Sequence, residues 1–203
     1  MSNSNPVSCR RLPQLLRHRV MLLLCILATS ALSPVFAAES TAVVRSASLA
    51  LDAAQDVYEL TAKVEITLPE EARKGIEAGL ALRVVYEIAL SRVRGYWPDA
   101  TVAKLEQTYE LSYHALSQRY LVRNLNTGEQ QDFGSLQAAL EQLGDVRGLP
   151  VIDADRVQGD SRYEVYLRAV VDLSTTPAAL QWLLFWTDDW SATSEWFIWP
   201  LRP

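Results

Sequence analysis

His114 is the one histidine beyond the first 37 residues. A lone imidazole has two chemical uses, as a general base or as a pH-sensitive switch. No cysteine follows Cys25 and no Gly-x-Ser-x-Gly elbow is present, so nothing is set up for the imidazole to activate. A solvated histidine near a turn is the better reading. The stretch Asp153-Ala154-Asp155-Arg156-Val157-Gln158-Gly159-Asp160 suggests calcium, because hard cations gather carboxylates. Asp153, Asp155 and Glu164 stand at positions one, three and twelve of such a loop. Val157 at position five, Gly159 at seven and the cation of Arg156 argue against it, so a solvated turn is expected and no metal or other cofactor. Asp188 and Asp189 are adjacent. On a strand they would point to opposite faces and could not work as an acid–base pair. No catalytic residue is therefore assigned, and an enzyme is not the expected reading.

The aromatic tail is the least ordinary feature. Five of the six tryptophans lie between Trp182 and Trp199, with Phe185 and Phe197 among them. Trp182, Phe185, Trp186, Trp190, Trp196 and Trp199 have three competing uses. They can fill a core, because indole and phenyl rings bury large areas. They can form a partner or membrane-interface surface, because exposed aromatic patches mark interaction sites. They can also stack sugars.

The elements that would position these groups read mainly as strands. Val43 to Leu51 and Val57 to Leu68 flank a turn at Asp52 to Asp56. Pro69 suits the first turn of a short helix, with Glu70 and Glu71 at its positive end and Gly75 and Gly79 limiting it. From Leu80 to Ser91 apolar residues alternate with others at a period of two, although Arg83 and Glu87 have helical spacing. The β-branched content favours a strand, with a helix over 80–95 as the alternative. Ala103 to Tyr113 predicts a strand with one wet face, and Arg119 to Leu125 another before the turn at Asn126-Thr127-Gly128. Ser135 predicts the cap of a helix that ends at Gly144. Tyr163 to Leu173 alternates strictly, Pro177 to Trp186 is apolar and helical in character, and Ser194 to Leu201 closes the chain as a strand. The expected fold is mainly β, with α+β as the alternative. It is an antiparallel two-layer, sandwich-like domain with two or three short helices.

The first 37 residues supply an address. Arg10, Arg11, Arg17 and Arg19 precede the apolar run Val20 to Leu32, then Pro34 and the small-residue end Val35-Phe36-Ala37. That order predicts a secretory signal peptide cleaved after Ala37, leaving residues 38–203 as a single periplasmic domain. An uncleaved inner-membrane tether is the minority alternative. Cys25 sits among bulky apolar residues, unlike a lipid-attachment cysteine. Both cysteines lie in the leader, so the exported part must fold without disulfides. It carries 15 basic against 24 acidic groups, a net of −9 over 166 residues. Such a surface repels phosphate backbones and excludes nucleic acid as a natural partner. It also holds no polybasic patch for anionic lipid, so membrane contact is not predicted.

Several linked motifs carry a resemblance: Leu111-Ser112-Tyr113-His114-Ala115-Leu116 with Gln118-Arg119-Tyr120-Leu121-Val122, and Phe133-x-Ser135-Leu136-x-x-Ala139-Leu140-x-x-Leu143-Gly144 with Leu149-Pro150-Val151. Tyr163-x-x-x-x-Arg168-x-x-x-Asp172-Leu173 and Trp190-x-x-x-Ser194-x-Trp196-x-x-Trp199-Pro200-Leu201 follow. Together they resemble the proteobacterial exported family called domain of unknown function 4390. The resemblance implies no activity, cofactor or catalytic residue, and it hints at signalling beside an envelope sensor kinase. The expected function is a non-enzymatic interaction or regulatory module of the cell envelope. It would offer a sheet edge or the aromatic surface to a membrane protein. The alternative is a periplasmic saccharide- or lipid-binding protein that holds its ligand between the sheets.

Overall fold

Asp52 turns the chain by accepting the backbone N–H of Ala54 at 2.9 Å, and this side-chain turn joins β1 (Thr41–Asp52) to β2 (Val57–Thr67) in antiparallel register. A computed structural model describes residues 41–96, 98–174 and 190–201. Its contacts divide the chain into Met1–Ala37 and Ala38–Pro203, and every element described here belongs to the second unit. Pro69 opens α1 (Glu70–Glu77), which buries Ala72 and Ile76. Gly79, at φ +100°, ends it where a Cβ would be strained.

Alternation decides the ambiguous stretch. Residues Ala81–Arg92 form strand β3, with Leu82, Val84, Tyr86, Ile88 and Leu90 fully buried. Both of its edges are paired, by β4 (Ala100–His114) and by β8 (Tyr163–Ser174). The helical spacing of Arg83 and Glu87 is thus unused. In the strand Arg83 faces Asp172 at 4.0 Å, and Glu87 faces Arg168.

The larger sheet runs β10-β8-β3-β4-β5-β6, with β5 at Arg119–Asn124, β6 at Gln130–Phe133 and β10 at Phe197–Leu201. The short β9 (Ser191–Thr193) also pairs with β8. The smaller sheet is β1-β2-β7, with β7 at Asp145–Asp153. All pairings are antiparallel, and the sheets face each other over Leu60, Val84, Ile88, Leu167 and their neighbours. The molecule is a mainly β, sandwich-like fold.

Among the described residues two α-helices accompany the strands, with a single 3-10 turn at Ala154–Arg156. The second helix, α2 (Leu136–Gly144), is capped by the Ser135 Oγ, which accepts the Ala138 N–H at 3.2 Å. It buries Ala139, Leu140 and Leu143 against β2, β5, β6 and β7, and so closes one side of the sandwich. Its final glycine is required sterically, because a Cβ on Gly144 would stand 2.1 Å from the Val64 carbonyl oxygen. The buried Tyr86 hydroxyl donates to the Leu143 carbonyl at 2.6 Å and satisfies an acceptor at the helix end.

On the opposite side no helix intervenes among the described residues. There β1, an edge of the smaller sheet, packs beside β8, β9 and β10. No described helix is long and apolar enough to cross a membrane. The apolar segment from Pro177 to Trp186 lies outside the described residues.

Candidate functional site

The closing strand is not continuous, and its interruption builds the site. Val170 pairs with Thr193 and Leu167 with Phe197, so three steps along β8 match four along its partner. The extra residue is a β-bulge at Ser194 to Trp196, a device that re-aims side chains at sheet edges. Ser194 holds the ladder together there. Its N–H donates to the Ala169 carbonyl at 2.8 Å, and its Oγ accepts the Ala169 N–H at 2.9 Å in place of a backbone carbonyl. The same hydroxyl donates to the Glu195 carbonyl at 3.0 Å.

The bulge sets Trp196 on the outer face of the larger sheet, over Arg168. The guanidinium carbon lies 4.5 Å from the indole ring centre, a cation–π distance. Below the ring, Arg168 Nε and Nη2 donate to Glu87 Oε2 at 2.9 and 2.7 Å. Arg168 is thus held between a ring and a carboxylate, and the Arg168 and Glu87 side chains are both partly buried. Tyr166 stands edge-on to Trp196 at 6.3 Å and donates to Glu164 at 2.7 Å. That hydrogen bond to a carboxylate, with desolvation, raises the Tyr166 phenol above its ordinary value. Ile198, half exposed, follows two residues later on the same outer face.

Beside Trp196 runs a groove of about 370 Å³, with Thr41 to Val44 of β1 on one wall and Thr193 to Phe197 on the other. Both walls are strand edges that have no further backbone partner among the described residues. An extended chain laid in the groove would meet unpaired N–H and C=O groups, the condition for strand addition. The Trp–Arg–Tyr cluster at its rim has the residue types that dominate binding energy at interfaces.

The tryptophans named from the sequence divide among several places. Trp196 is 41% exposed on the outer face. Trp199 takes the core side of β10 opposite Val165 and lies 5.6 Å from Phe197. Trp190 packs partly buried against the core, and its Nε1 has no acceptor among the described residues. Trp182, Phe185 and Trp186 lie outside the described residues, as do Asp188 and Asp189. His114 is exposed at the end of β4, with Nδ1 2.8 Å from the Ser117 Oγ. Among the described residues no three His, Cys, Asp or Glu side chains converge as a metal shell, Asp153, Asp155 and Glu164 included. Sequence reasoning gave no site role to Glu87, Tyr166, Arg168 or Ser194. The signal available was that Arg168, Ser194 and Trp196 stand within the linked motifs that carry the resemblance.

Fold and groove together define a class of protein: a two-sheet antiparallel β domain with one side sealed by a helix and the other bordered by two strand edges that are unpaired among the described residues. Residues 39–200 match the family described as domain of unknown function (DUF4390), and the chain belongs to it. Comparison with curated proteins and with solved structures gave no match.

Proposed function

We propose that this chain is an exported, non-enzymatic interaction module of the bacterial cell envelope, working by strand addition along the open side of its sandwich. The partner would be an envelope membrane protein, with a sensor kinase as the class suggested by the family resemblance. Export rests on the basic, apolar and small-residue order of the first 37 residues. The observation that carries the reading is the groove: two strand edges, unpaired among the described residues, border one recess, and a pre-positioned Trp196 stands at its rim. Backbone hydrogen bonds would supply affinity, and the Trp196 ring would supply the anchor.

The test is site-specific photo-crosslinking in the native host, using the full chain with its own leader. A photoreactive residue at Val43 or Trp196 is expected to trap one membrane protein, whereas the same residue at Lys104 on β4 should trap none. Equal labelling from all three positions, or none from any, would overturn the proposal.

A further inference from the structure

The side sealed by α2 carries a second recess of about 390 Å³, within the about 300–1,000 Å³ usual for small-molecule sites. Tyr109, Asn124, Glu129, Gln131 and Gln142 give its polar lining, above the buried Val122. One of these groups is held in a fixed orientation. The Asn124 Oδ1 accepts from Gln107 Nε2 at 2.7 Å and from the backbone N–H groups of Asn126 and Thr127 at 2.9 and 3.2 Å. Gln107 is itself only 4% exposed. With its oxygen occupied three times, Asn124 keeps Nδ2 as its free donor.

The rest of the lining narrows the ligand's chemistry. Glu129 has no cationic partner among the described residues and accepts only from the Thr127 hydroxyl at 3.4 Å. An anionic ligand would therefore meet an uncompensated carboxylate. Asp145 and Arg147 also line the recess but are paired with each other, with Lys63 3.4 Å from the same carboxylate. An apolar ligand would leave the amides of Asn124, Gln131 and Gln142 without partners, at about 1–3 kcal/mol for each group desolvated. What remains is a neutral molecule with closely spaced donors and acceptors. We propose that this recess binds a saccharide, with its hydroxyls donating to the Glu129 carboxylate and accepting from Asn124 Nδ2 and the glutamine amides. Gln107 acts as a positioning residue, because it fixes the Asn124 amide without reaching the recess.

The test applies the full chain to an array of neutral oligosaccharides built on glucose, galactose, mannose and N-acetylglucosamine. The best-retained sugar is then titrated calorimetrically. Glu129 and Gln142 are exposed, so Glu129→Ala and Gln142→Ala should fold normally. Each is expected to weaken binding at least about tenfold, the scale of one lost hydrogen bond to a charged or buried group. Lys104→Ala, on an exposed position of β4 outside the recess lining, should leave the affinity unchanged. No retained sugar would overturn the assignment, as would an affinity indifferent to Glu129 and Gln142.

Discussion

Tyr86 joins three regions through one side chain: it is fully buried in β3, stacks edge-on with Tyr109 of β4, and donates to the last turn of α2. Removal of its hydroxyl in Tyr86→Phe leaves the Leu143 carbonyl unsatisfied and should cost about 1–3 kcal/mol, read by urea unfolding. Burial also pushes the Tyr86 phenol far above its ordinary range, and Tyr109, Tyr120 and Tyr166 are raised as well. The sign of the pH effect follows from where protons are held. Between the unfolded phenol value near about 10 and the higher folded values, the native state holds more protons, so stability falls as pH rises. Alkaline titration followed by circular dichroism should therefore show loss of structure beginning above about pH 10, with a weaker pH dependence in Tyr86→Phe. On the outer face, Arg168→Ala leaves Glu87 partly buried without its donor. It should destabilise by about 1–3 kcal/mol, more than the about 0.5–1 kcal/mol expected for Trp196→Ala, which removes an exposed cation–π contact and the edge-on contact with Tyr166. None of these partnerships was legible from local pattern, because Glu87 and Arg168 are 81 positions apart and meet only through the β3–β8 register.

Elements were legible in proportion to how strictly their residues alternate. β3, β4 and β8 have one face of apolar residues and could be read directly, as could the capped helix α2. β6 is Gln-Gln-Asp-Phe and has no such pattern, since it lies at a sheet edge and buries little. β7 contains Gly148 and Pro150, which argue against a central strand. The proline is accommodated because β7 is also an edge, with a register shift against β2 beside it. The tail reads as one strand from Ser194, whereas it is two short strands joined by a bulge, because a single extra residue leaves no compositional mark. Gly144 is the element-scale test. Gly144→Ala must push α2 away from β2 and should cost about 1–3 kcal/mol by thermal melting. Gly159→Ala, with open space around the position, should stay within about 0.5 kcal/mol of the parent.

At the scale of the whole molecule, the two sides of the sandwich differ. On one side α2 packs across β2, β5, β6 and β7, and on the other β1 and the bulged strand are edges without a further partner among the described residues. A lysine on such an edge blocks pairing with another chain at little cost to the fold. Val43→Lys is therefore expected to retain a cooperative melt near that of the parent while abolishing the Trp196-position adduct in crosslinking. An adduct that persists in Val43→Lys would show that strand addition is not the mode of contact.

The strand order of the larger sheet also governs when the fold can form. β8 lies between β3 and β10, so one hydrogen-bonding edge of β3 waits for a strand that begins about 70 residues further along, at Tyr163. Pairings this distant in sequence carry a high loop-closure cost and make folding slow. A chain shortened before Tyr163 should then stay unfolded, with no protected amides in hydrogen exchange. On the export route proposed above, such delayed closure would keep the chain extended until its last fifth, from Tyr163 onward, has crossed.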